Sequence, residues 1–164
     1  MSGAVVSLQG PTSRFAIEAT IPAPLPAVWE LMVQSRRLPE WNTELAAVLD
    51  VSGDTDRVGG GYRQVWRILG RRIESTHPWQ VVAVEPYRWR EFRGILPIGV
   101  AAVGRDRLEA VPGGTRVSVE IEYVRPWGPL GRLLAPMMRA MLRRTMAANA
   151  RALTTLLRRE GAIL

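Results

Sequence analysis

Residues 116–123, Arg-Val-Ser-Val-Glu-Ile-Glu-Tyr, and the following stretch LGRLLAPMMRAMLRRTMAANARALTTLLRR at 130–159 decide the fold. In the first, Val117, Val119, Ile121 and Tyr123 alternate with Arg116, Ser118, Glu120 and Glu122. A period of two over that length is a strand with one buried face. In the second, apolar residues recur at 130, 133, 134, 137, 138, 141, 142, 153, 156 and 157, with arginines at 132, 139, 143, 151 and 158 between them. That is one long amphipathic helix. From Pro136 to Glu160 it spans roughly 37 Å at ~1.5 Å per residue, enough to cross a small sheet. Pro136 is expected to kink it or to mark the start of its main segment.

Upstream the chain supplies the sheet. Arg14 to Ile21 alternates, with Phe15, Ile17, Ala19 and Ile21 on one face. Pro22-Ala-Pro-Leu-Pro26 ends that strand, and Pro26 suits the first turn of a helix through Val33. A short second helix is expected around Arg36 to Trp41, then a strand from Glu44 to Val51. Further strands are predicted at Tyr62–Leu69, Arg71–His77, Gln80–Val84 and Arg88–Arg93, and from Ile98 to Val111 as one strand or a broken pair. Gly59-Gly-Gly61, Gly70 and Pro112-Gly-Gly114 are turn chemistry. Pro78 belongs at a bulge or an edge, because it has no N–H to donate to a ladder.

Several local patterns in this order match a known family. Ile21-Pro-Ala-Pro with Val28-Trp29, Pro39-Glu-Trp41-Asn42, Val58-Gly59, Val84-Glu85-Pro86 and Gly113-Gly-Thr115-Arg116-Val117 carry the match. Over about Arg14 to Glu160 the chain resembles the SRPBCC/START-like superfamily of polyketide cyclases, dehydrases and lipid-transfer proteins. The resemblance implies an α+β helix-grip fold: a curved antiparallel sheet of about six to seven strands wrapped on a long C-terminal helix, with two short helices after the first strand. It implies one domain over 14–160, with 1–13 a flexible N-terminus. It does not fix a function, because this fold hosts several.

A bent sheet closed on one helix leaves space between them. Leaving about 300 Å³ empty extrapolates to ~7 kcal/mol at ~24 cal/mol per Å³, comparable to a domain's whole stability of ~5–15 kcal/mol. Such a space is expected to hold water, lipid or substrate. Alternation predicts its lining as Tyr62, Gln64, Trp66, Ile68, Ile73, Ser75, Leu108, Val119, Ile121 and Tyr123, with Leu134, Met138, Met141 and Leu142 from the helix. Trp41, Trp79 and Trp89 are candidates for its wall or mouth.

Composition removes much chemistry. The chain has 164 residues, no cysteine and one histidine, and all 22 of its basic residues are arginine. Thiol nucleophiles, thiolate metal sites and lysine Schiff bases are therefore excluded. A metal centre would need mostly carboxylates, and no metal or cofactor is expected. The candidate proton movers are His77, Asp106 and Glu91. A net charge of +7 raises nucleic acid or anionic membrane as partners, but acids interleave with the arginines along the chain. The expectation is no nucleic acid and no membrane insertion, with room for transient contact with an anionic membrane, in a monomer or homodimer. The N-terminus lacks a basic stretch before its short apolar patch, so it does not read as a signal peptide, and a cytoplasmic location is expected. The primary functional expectation is a carrier of a hydrophobic lipid, isoprenoid or polyketide; the alternative is a polyketide aromatase/cyclase or dehydratase acting in the same cavity.

Overall fold

The structure, a computed structural model, describes residues 8–75, 77–96, 99–124 and 128–163; within the last helix, 128–132, 134, 135 and 138 are described by backbone alone. The chain runs β1 (Thr12–Ile21), α1 (Leu25–Val33), a turn of 3-10 helix (Ser35–Arg37), α2 (Leu38–Trp41), β2 (Leu45–Gly53), β3 (Gly61–Ile68), β4 (Arg71–Glu74), β5 (Trp79–Glu85), β6 (Trp89–Ile95), β7 (Ala101–Val111), β8 (Gly114–Val124) and α3 (Gly128–Arg159). The strands form one antiparallel sheet in the order β1-β8-β7-β6-β5-β3-β2, with β4 pairing β3 outside that path. It is the helix-grip arrangement, with β4 an eighth, short strand.

Local chemistry explains the boundaries. β1 begins at Thr12 rather than Arg14, because Thr12 and Ser13 pair with Val124 and Tyr123 of β8 and the Thr12 hydroxyl donates to Glu122 at 3.0 Å. The predicted run from Arg71 to His77 ends at Glu74; Pro78 breaks the ladder, and β5 starts at Trp79. The expected strand start at Ile98 lies outside the described residues; β7 begins at Ala101. Pro136 lies inside α3, which starts eight residues before it, so it does not mark the helix start.

The core has two parts. One joins α1 (Val28, Trp29, Leu31, Met32) to Leu108 of β7, Val117 of β8, and Leu153 and Leu157 of α3. Polar side chains fasten this end: Thr115 Oγ1 donates to the Ala23 carbonyl at 2.8 Å, and Thr43 N and Oγ1 both donate to Asn149 Oδ1 at 2.9 Å. The other part gathers Trp79, Ala102 and Tyr123, with Tyr62, Phe92 and Ile121 packed around them.

Candidate functional site

The inner face of the sheet is set by pairing. Asp106 lies opposite Val119, Leu108 opposite Val117, and Tyr62 opposite Trp79. Paired residues share a face, so β7 and β8 present the side chains that alternation predicts. Leu108 and Tyr123 are buried, and Val119 and Ile121 are half-buried against the two core clusters. Gln64 and Ser75 are buried, Tyr62, Trp66 and Ile68 half-buried, and Trp41 packs on the α1 cluster.

Between the clusters sits a buried ion pair. Arg90 Nε donates to Asp106 Oδ2 at 2.9 Å, and a terminal guanidinium nitrogen lies 2.8 Å from the same oxygen. The other terminal nitrogen donates to the Met32 carbonyl at 3.1 Å and to the Thr55 hydroxyl. The guanidinium carbon lies 5.6 Å from the centre of the Phe92 ring. The aromatic floor beside it depends on two glycines. A Cβ on Gly94 would lie 2.3 Å from the Trp79 indole, and one on Gly104 would lie 2.2 Å from the Phe92 ring. The two rings meet edge to face, 5.6 Å between centroids.

Tyr62 borders this pair. Burial pushes its hydroxyl from 10.0 up to about 12; Arg90 and a side-chain hydrogen bond with Gln64 oppose the rise, and Asp106 adds to it. The phenol is thus a proton-holding hydrogen-bond group at neutral pH. Because its folded value lies above the unfolded one, its contribution to stability is full below pH ~10 and is lost as pH rises toward ~12. Ultraviolet titration of the tyrosinate band should find one of the three tyrosines ionising near 12, and a Tyr62→Phe variant should lack that step.

Four buried polar atoms have no protein partner among the described residues on or near this interior: Gln64 Oε1 and the indole Nε1 of Trp41, Trp66 and Trp79. Gln64 and Trp79 are only 6% and 5% exposed, so bulk water does not satisfy them.

Other predicted site residues lie elsewhere. Glu91 and Trp89 are on the outer face of β6: Glu91 pairs Arg105 at 2.8 Å and Arg93 at 3.3 Å, and Trp89 Nε1 donates to Glu85 at 2.9 Å. Partial burial disfavours the charged Glu91 carboxylate, yet the Arg105 and Arg93 contacts prevail and hold its pKa below the ordinary carboxylate range. The residues that β6 turns inward are Arg90, Phe92 and Gly94, which alternation alone did not assign. His77 is exposed, since the strand that would have aimed it inward ends at Glu74. Ile73, 37% exposed, sits on a β4 whose four residues are all exposed. Met141 is 51% exposed and Leu142 half-buried; the side chains of Leu134 and Met138 lie outside the described residues. No cluster of three His, Asp or Glu among the described residues is arranged to hold a metal ion. No helix among them is long and apolar enough to cross a membrane.

Comparison with solved structures gives the same architecture. A Rhodobacter sphaeroides protein superposes with a TM-score of 0.71 at 19% identity, covering 90% of this chain and 95% of its own. Major latex-like protein 151 from Panax ginseng gives 0.66 at 13% identity, covering 89% and 97%. The di-domain ARO/CYC BexL from the BE-7585A biosynthetic pathway gives 0.68 at 18% identity, covering 88% of this chain and 49% of that one. Among curated proteins the sequence finds no match. Residues 12–158, the whole sheet and all but the last residue of α3, match the family described as polyketide cyclase/dehydrase and lipid transport. The chain belongs to that family.

Proposed function

We propose that the protein binds an apolar, ring-bearing or isoprenoid-like small molecule carrying a hydroxyl or carbonyl group, in the interior between sheet and α3. The observation that carries this reading is the set of buried polar atoms without protein partners, Gln64 Oε1 with the Trp41, Trp66 and Trp79 indole N–H groups. Each unsatisfied buried group costs about 1–3 kcal/mol, so four together weigh against a domain stability of ~5–15 kcal/mol. A guest that donates to Gln64 and accepts from an indole removes that cost, while the Tyr123, Ile121 and Phe92 cluster receives its apolar body.

The binding reading is favoured over chemistry by where the proton movers lie. His77 is exposed, Glu91 is held by two arginines on the outer face, and Asp106 is tied to Arg90. Tyr62, pushed up to about 12, is suited to holding a ligand oxygen rather than to taking a proton from carbon.

A matched ligand pair tests this. Emodin, which carries hydroxyl and carbonyl groups, should quench tryptophan fluorescence and raise the melting temperature, since a ligand of the folded state stabilises it. Anthracene, of the same ring skeleton without those groups, should bind about tenfold more weakly, and Gln64→Leu should remove most of that difference. If neither compound nor a wider apolar library shifts the melting temperature, the reading fails. Ring closure of a linear poly-β-ketone by the protein would favour the cyclase alternative.

A further inference from the structure

The β3–β4 hairpin carries three local penalties that nothing else in the fold explains. Its turn is Leu69-Gly70, with φ of +48° and +76°. Left-handed backbone at two consecutive turn positions is the geometry that Asn-Gly and Asp-Gly fill; leucine there is strained. Leu69 is also 99% exposed. A lone exposed leucine is ordinary, but this one is held at the apex of a hairpin in a backbone state that selects against it.

The third penalty is electrostatic. Arg67 and Arg72 lie directly opposite each other across the hairpin, and Arg71 lies opposite Ile68. Like charges in that position repel. All three arginines are exposed, and none makes an ion pair among the described residues. The one acid of β4, Glu74, is held by Arg63 at 3.2 Å. Ile73, 37% exposed, adds apolar surface behind the tip. β4 pairs only with β3, outside the main path of the sheet, so the hairpin is an appendage rather than a structural brace.

An apolar apex ringed by free guanidinium groups fits one kind of surface: a lipid bilayer with anionic headgroups. Leucine enters the acyl boundary while the arginines engage phosphates. A nucleic acid would use the arginines but gives no reason for the leucine. We propose that the β3–β4 hairpin, through Leu69, Arg67, Arg71 and Arg72, docks the protein on anionic membranes. The docking stands apart from the ligand reading, but the two share a strand. β3 bears Tyr62 and Gln64 at one end and leads into Leu69 at the other, and Gln64 and Leu69 are about 17 Å apart along an extended chain. A protein docked this way has the lining strand of its interior running into the bilayer surface, a geometry suited to exchanging an apolar ligand with lipid.

The test is co-sedimentation of ligand-free protein with vesicles of phosphatidylcholine alone or with about 30% phosphatidylglycerol, at low and high salt. Wild type should bind the anionic vesicles, bind neutral ones weakly, and release when the salt is raised. Leu69→Asn should weaken binding about tenfold. It should also raise the melting temperature, because asparagine suits the turn; that rise rules out misfolding as the cause of lost binding. Arg71→Gln with Arg72→Gln should weaken binding about 30-fold and abolish the preference for anionic lipid. The proposal is overturned if wild type ignores anionic vesicles, or if Leu69→Asn binds them as wild type does. It is also overturned if a single-stranded RNA oligonucleotide binds more tightly than the vesicles and depends on the arginines but not on Leu69, since the patch would then be a nucleic-acid surface. None of these outcomes depends on whether emodin binds.

Discussion

Asp106→Ala should lower the unfolding free energy by about 3–5 kcal/mol in urea denaturation, a large share of a typical domain's stability. The reason lies in what the substitution leaves behind. Arg90 is 5% exposed and Asp106 3%, so the guanidinium keeps its charge in the interior with only the Met32 carbonyl and the Thr55 hydroxyl to receive it. Asp106→Asn should behave similarly, because it preserves shape while removing the countercharge. Replacing both partners, Arg90→Met with Asp106→Leu, should recover most of the loss, since a buried pair is often no better than apolar side chains of similar volume. A loss below about 1 kcal/mol for Asp106→Ala would show that water reaches the pair and that the interior is wetter than its burial indicates. The same series separates structure from chemistry. If Asp106 moved protons for a reaction, the doubly apolar variant would be stable and inactive; if it only neutralises Arg90, that variant would still bind ligand.

That pair also marks the limit of what the sequence discloses. The inward face of β8 was legible because every second residue from Val117 to Tyr123 is apolar and those between are Arg, Ser and Glu. β6 offers no such contrast. One of its faces holds Trp89, Glu91 and Arg93, the other Arg90, Phe92 and Gly94, so each has an aromatic and an arginine. Which face is buried follows from Asp106, sixteen residues away and directly opposite Arg90, and from the small Gly94 and Gly104 that admit the Trp79 and Phe92 rings. These are long-range facts that no local period contains. His77 was misplaced for a different reason. Alternation from Ile73 holds only while the ladder continues, and the chain leaves it before Pro78. Ser75 is buried: its N–H still donates across to the Gln64 carbonyl at 2.7 Å, one step beyond the Val65–Glu74 pair, while its hydroxyl donates to the His77 carbonyl at 2.8 Å, where the chain bends away.

The long helix repeats the lesson on a larger scale, and a paired substitution reads it out. Leu157→Ala should cost about 2–5 kcal/mol, whereas Met141→Ala should change stability by no more than about 0.5 kcal/mol. Both residues fall on the apolar period of the sequence, but of the two only Leu157 is buried. Leu157 is 1% exposed, packed with Leu153 against α1, Leu108 and Val117. Leu133, Met137 and Met141, four residues apart, are 77%, 63% and 51% exposed. Periodicity records that a helix has an apolar stripe; it does not say how far along the helix the sheet extends to cover it. Among the described side chains of α3, Thr145 and Asn149 bond to the rest of the fold, through Glu44 at 2.7 Å and Thr43 at 2.9 Å. Thermal unfolding of the two variants side by side decides the matter, at about 2–4 °C per kcal/mol for a chain of this size. Equal losses would mean that the N-terminal half of α3 packs down on the sheet in solution. A stable Met141→Ala protein with altered emodin affinity would mean that this stripe meets the ligand rather than the core, in line with the lining predicted for Met141 from the sequence.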